Sequence, residues 1–120
     1  MGVQADDGTI YFSCHWGGAF LYWSKDFGVT WNHSEVIDSI NECSIALLAN
    51  QSIAMNCRTG GNRAQITWSP TGELLSHTSP EGLDDPNCQG SIISLGDALY
   101  LSNDASTSGR NHITIKKSTD

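Results

Sequence analysis

Two ionisable side chains near the middle of the sequence stand where they could meet. Glu42 precedes the run Ser44–Ala49, and Arg58 ends the next run, Ser52–Arg58, sixteen residues after Glu42. A hairpin of that span returns its two ends to one face. A carboxylate held there can act as a general base. A guanidinium held beside it is planar and permanently charged, and it grips both oxygens of an anionic ligand as lysine cannot. Taken singly, each residue also fits a plainer role, Glu42 as a solvated turn residue and Arg58 as a strand-end surface charge.

Other reactive side chains show less order. Arg63 follows Gly60-Gly61-Asn62 at the start of a strand-like run and reads as a surface residue. The cysteines Cys14, Cys43, Cys57 and Cys88 are 29, 14 and 31 residues apart, which gives neither a CxxC pair nor zinc spacing. An even count permits disulfides, but buried free thiols in strands are the plainer expectation. His33, His77 and His112 have no ligand spacing and are expected to be exposed.

The elements that must position these groups are strands. No window keeps a helical period with caps. Strands are expected near Thr9–His15, Phe20–Ser24, Ser44–Ala49, Ser52–Arg58, Arg63–Ser69, Ser91–Leu95, Ala98–Ser102 and His112–Lys117, with turn clusters between them. One turn, Ser24-Lys25-Asp26-Phe27-Gly28-Val29-Thr30-Trp31, fits S-x-D-x-G-x-T-W. Asp26 can accept hydrogen bonds from N–H groups within the turn, Gly28 supplies a positive φ, and Trp31 can fold back over the hairpin. A degenerate copy at residues 69–74 keeps Ser69, has Thr71 for Asp, and places Gly72 one position early. A truncated copy begins at Ser118. The three serines are 45 and 49 residues apart, a period of about four short strands and the mark of propeller blades. Because the sequence stops inside this third copy, the expectation is a piece cut from a longer protein.

Composition narrows the function. Net charge is −7, from 13 acidic and 6 basic residues, which argues against nucleic acid as a partner. A few buried arginines can still make an anion pocket. No apolar run approaches the roughly 20 residues of a transmembrane helix. The opening MGVQADDGTIYF has no basic n-region and no apolar h-region. The compartment stays open, secreted and lysosome-like sites included.

With these motifs in view, the sequence resembles the sialidases. The Ser24–Trp31 turn is similar to their Asp-box, which other propellers such as sortilin-like receptors also carry. Asn41-Glu42-Cys43 followed by Asn56-Cys57-Arg58 resembles the stretch that holds a glutamate and an Asn-x-Arg. Pro86-Asn87-Cys88-Gln89-Gly90-Ser91-Ile92-Ile93 resembles a blade-opening Cys-Gln-Gly-Ser segment, and Leu101–Ser106 with Arg110 and Ile113-Thr114-Ile115 is similar to the segment that delivers the last arginine of a triad. Gly2-Val3-Gln4 with Gly8-Thr9-Ile10 resembles the strand pair ahead of the first motif.

The resemblance implies an all-β fold, about two to three blades of a six-bladed propeller, over residues 1–120. It implies an exo-α-sialidase that releases terminal sialic acids from glycoconjugates with retention, without cofactor or metal. Glu42 would be the base for a tyrosine nucleophile contributed from outside this stretch. A tyrosine suits the task, because a carboxylate attacking beside the substrate's own carboxylate would meet like-charge repulsion. A phenol with a pKa near 10 then needs a base beside it. Arg58 and Arg110 would grip the sialic acid carboxylate. Gln89 and Trp16 would line the pocket, with turn capping and blade packing as their alternatives. Asp26 is expected to be structural. Two other classes of propeller remain open on the same residues, one binding sialic acid without catalysis and one binding protein.

Overall fold

The computed structural model describes residues 1–118. Among them run eleven strands in three antiparallel sheets. The first sheet holds β1 (Gly2–Gln4), β2 (Ile10–His15), β3 (Ala19–Ser24) and β4 (Asn32–His33). The second holds β5 (Cys43–Leu47), β6 (Ile53–Cys57), β7 (Ala64–Trp68) and β8 (Leu74–Thr78), and the third holds β9 (Ser91–Leu95), β10 (Ala98–Asp104) and β11 (Ile113–Ser118). In every sheet the neighbours in sequence are the neighbours in hydrogen bonding. β5 lies against β1 and β2 on one side and against β9 on the other. The sheets are therefore stacked blades, and the first strand of each lies toward a common axis.

The inner strands of the middle blade are covered on both faces, which explains why β5 and β6 read as continuous apolar or small runs rather than alternating ones. Ile45, Ile53, Met55, Ile66 and Trp68 pack toward the first blade, against Tyr11, Leu21 and Trp23. The opposite face is lined by smaller residues, Ala46 and Ala54, which meet Ile92 and Leu101 of the third blade. Alternation within each strand sorts the large side chains to one interface and the small ones to the other.

The Ser24–Trp31 turn is a closed hydrogen-bond circuit. Ser24 Oγ accepts from the N–H groups of Asp26 and Gly28, and Asp26 accepts from Thr30 N–H at 2.8 Å and Thr30 Oγ1 at 2.6 Å. The Trp31 indole donates to Gly28 O, and its ring stacks on Tyr22 at 4.9 Å. The turn at residues 69–74 repeats the serine half of this circuit. Ser69 Oγ accepts from the N–H groups of Thr71 and Glu73, at the same two offsets. In that register Gly72, at φ +79°, stands where the first turn has Phe27 at φ +58°. The early glycine thus occupies a position that is left-handed in both turns. The copy that starts at Ser118 runs on into residues 119–120, which lie outside the described residues.

Two expectations need correcting. Cys43 and Cys57 are not free thiols: they face each other across β5 and β6 and form a disulfide, while Cys14 and Cys88 are free and half-buried. Arg63 is not a surface residue: its side chain is fully buried and paired to Asp85. β4, two exposed residues, and β8, whose last four residues are exposed, were not expected as strands. Both are outer edges without alternation.

Candidate functional site

The site is built where β5 begins and β6 ends. The two strands pair in register, Cys43 opposite Cys57, and the backbone bonds continue one step further: Arg58 N–H donates to Glu42 O and Asn41 N–H donates to Arg58 O. This fixes the backbones that carry Glu42 and Arg58 side by side. The side chains then close, with Arg58 Nη1 donating to Glu42 Oε2 at 2.6 Å. Arg58 Nε donates to Asn87 Oδ1, also at 2.6 Å. The arginine side chain is 23% exposed and the glutamate 34%, so the pair is open to a ligand on one side. Between them Glu42 and Asn87 leave the Nη2 hydrogens of Arg58 unused and able to donate to an anionic ligand.

The starts of the first strands cluster at this end. Ser44 Oγ accepts from Ile92 N–H, and Ser13 at the end of β2 donates to Cys43 O. A hollow of about 320 Å³ is lined by Met1, Ser44, Gln89, Ser91 and Ser102, among others. Gln89 is exposed there. The β2–β3, β6–β7 and β10–β11 connections leave their sheets at the same end, because each follows the second strand of its blade. Trp16 is on the first of these, 88% exposed, its N–H bonded to Gly18 O. Arg110 is on the third, exposed. Glu42 and Arg58 are thus brought into contact. Arg110, Gln89 and Trp16 share the end of the blades without touching that pair. The Asp26 turn is at the far end, consistent with a structural carboxylate. Among the described residues no three of His, Cys, Asp or Glu converge as a metal site would require.

The roles of Asn87 and Arg63 escaped the sequence reading. Arg63 donates to Asn56 Oδ1, Asp85 Oδ2 and Cys88 O, and its own N–H bonds Leu83 O at 3.0 Å. It ties the middle blade to the connector that bears Asn87. Its one visible signal was a basic residue shortly after Arg58, which also fits a surface charge.

Stacked antiparallel meanders of three or four strands, with a serine–aspartate turn at one end and a glutamate–arginine pair at the other, define part of an Asp-box propeller. The chain belongs to the BNR repeat-like domain family, whose model matches residues 2–120, within the sialidase superfamily. It is 30% identical to a sialidase of Bacteroides fragilis over 99% of this chain and 25% of the relative. Among solved structures, a Hadza microbial sialidase superposes with a TM-score of 0.89 at 30% identity, covering 99% of this chain and 27% of that one. A leech intramolecular trans-sialidase, solved with 2,7-anhydro-Neu5Ac, gives 0.76 at 20% identity over 97% of this chain and 20% of its own. A Trypanosoma rangeli sialidase, solved as a covalent intermediate with 2,3-difluorosialic acid, gives 0.71 at 16% identity over 96% and 22%. At the lower identities the likeness concerns the fold. The chain spans about a quarter of the length of the relatives it matches.

Proposed function

We propose that these blades furnish part of the catalytic site of an exo-α-sialidase acting on terminal sialic acids of glycoconjugates. The observation that carries this reading is the 2.6 Å contact between Glu42 and Arg58 at the open end of the blades. It puts an acceptor for a phenol proton beside a donor for a carboxylate, the two groups that cleavage next to an anionic anomeric centre requires. Glu42 would take the proton of a tyrosine supplied by another part of the protein. Arg58 and Arg110 would grip the substrate carboxylate, and Gln89 and Trp16 would border the sugar. Residues 1–120 would then be an internal portion of a six-bladed catalytic propeller. Support comes from the family match and from sialidase relatives of the same blade geometry.

The test uses the full-length protein and a chromogenic α-sialoside. Glu42→Gln, Arg58→Ala and Arg110→Ala are each expected to lower kcat/KM by about 100-fold or more. Wild-type turnover in all three would overturn the reading. No turnover by the unmodified full-length protein, with retained binding of the sugar, would mark a binding propeller instead.

A further inference from the structure

The guanidinium of Arg58 is held from two sides, and only one of them belongs to its own blade. Glu42 takes Nη1, and Asn87 takes Nε. Asn87 stands on the connector between β8 and β9, 29 residues further along the chain. Its backbone is left-handed, φ +62°, a conformation that asparagine tolerates better than most residues and that only a built turn maintains.

That turn is anchored on both sides of Asn87. Before it, Asp85 is 5% exposed and its Oδ2 pairs with Arg63 Nη1, while Asp85 Oδ1 accepts from Cys88 N–H at 2.6 Å. After it, Cys88 O accepts from Arg63 Nη1 at 2.7 Å. Arg63 is itself held by Asn56 of β6, two residues before Arg58. The Asp84 carbonyl is tied to Asn103 of β10 at 2.8 Å. Gly90 closes the seat: a Cβ there would lie 2.9 Å from Arg63 Cζ. A buried guanidinium and carboxylate are strongly destabilising when separated, so the turn has one arrangement.

We propose that Asn87 is a positioning residue for Arg58, and that the buried Arg63–Asp85 pair exists to hold it there. Arg58 side-chain torsions would otherwise be free about the Glu42 contact. Fixing Nε as well as Nη1 sets the plane of the guanidinium, and the plane decides where the unengaged Nη2 hydrogens point toward a carboxylate. This inference rests on the sialidase reading and adds to it a residue from the third blade's approach segment that controls the grip.

The decisive variant is Asn87→Gly in the full-length protein, because glycine keeps the left-handed backbone and removes only the amide. With an α-sialoside, kcat/KM is expected to fall about 10-fold, mostly through KM, with the melting temperature unchanged. Asn87→Asp, which keeps an acceptor, is expected to restore most of the loss. In an Arg58→Lys background, which has no Nε to hold, Asn87→Gly is expected to cost nothing further. A merely structural role would cost as much in that background as in the wild type, and that result, or full kcat/KM in Asn87→Gly, would overturn the proposal. Where Arg58→Ala is inactive and Asn87→Gly is silent, only the role of Asn87 falls. Where Arg58→Ala turns over like the wild type, the sialidase reading falls and this inference with it.

Discussion

Glu42 and Arg58 meet one residue beyond the Cys43–Cys57 disulfide, so the covalent cross-link and the 2.6 Å ion pair are consecutive rungs of one ladder. The backbone carries the pairing across, since Arg58 N–H donates to Glu42 O at 2.9 Å. Strand ends ordinarily fray, because their last hydrogen bonds are open to water. Here the last regular pair of β5 and β6 is covalently closed, and the functional pair is the step that follows it.

Opening that cross-link is expected to cost stability. The bond joins residues 14 apart in sequence, and a closed loop of this size restricts the unfolded chain by roughly 3 kcal/mol. Cys57→Ala, or reduction of the wild-type protein, is therefore expected to lower the unfolding free energy by about 2–4 kcal/mol. Denaturant titrations with and without reductant check it. An unchanged midpoint would mean that the bond does not form in solution.

The Arg63–Asp85 pair is expected to behave as a unit. Both side chains are inaccessible to solvent. Removing one partner leaves a buried charge uncompensated, at about 3–5 kcal/mol, whereas replacing both by apolar residues of similar volume avoids that penalty. Arg63→Met and Asp85→Leu should each destabilise more than the double variant does. Chemical denaturation of the three variants reads this directly, and additive losses would count against it.

How far the sequence could be read follows from how local each feature is. The Ser24–Trp31 turn was legible because its bonds join residues two to four apart, so the motif contains its own cause. The meeting of Glu42 and Arg58 was legible because a single hairpin decides it. The disulfide was not, although the same hairpin makes it: four cysteines allow several pairings, and the one formed depends on register, which places Cys43 opposite Cys57. Arg63 was misread because its partner is 22 residues away in an irregular connector. Nothing in Gly-Gly-Asn-Arg announces a carboxylate on the far side. Asn87 stands in the blade-opening segment, but its role was not legible, because its contact with Arg58 joins a connector to a strand end 29 residues away.

Gly72 should tolerate no side chain. Its φ of +79° disfavours any Cβ, and a Cβ there would overlap the Trp23 ring of the first blade. The second point matters more, because Trp23 is a buried member of the core cluster that also holds Tyr11 and Trp68. Backbone strain of about 1 kcal/mol and overpacking of about 1–3 kcal/mol combine in Gly72→Ala. Thermal unfolding should show a lower midpoint for Gly72→Ala, and Gly8→Ala makes the control: its φ is +88° but its Cβ would meet open space. Equal losses in the two would show that strain alone operates.

The Asp26 turn makes stability depend on acid. The Thr30 hydroxyl, then the Thr30 N–H, then the Ser24 hydroxyl donate to its carboxylate and hold its pKa at about 2, below the ordinary 3.8. Each bond favours the ionised form, so the folded state binds a proton less readily than the unfolded chain. The resulting stabilisation is complete above about pH 4, and it is lost as pH falls from there through about 2. Asp7, lowered by the Thr9 N–H, contributes in the same direction. Asp26→Asn is expected to be less stable than the wild type at neutral pH and to lose less on acidification through that window, so the two stability curves should converge toward pH 2. Parallel curves down to that pH would mean that the carboxylate is not held by its turn.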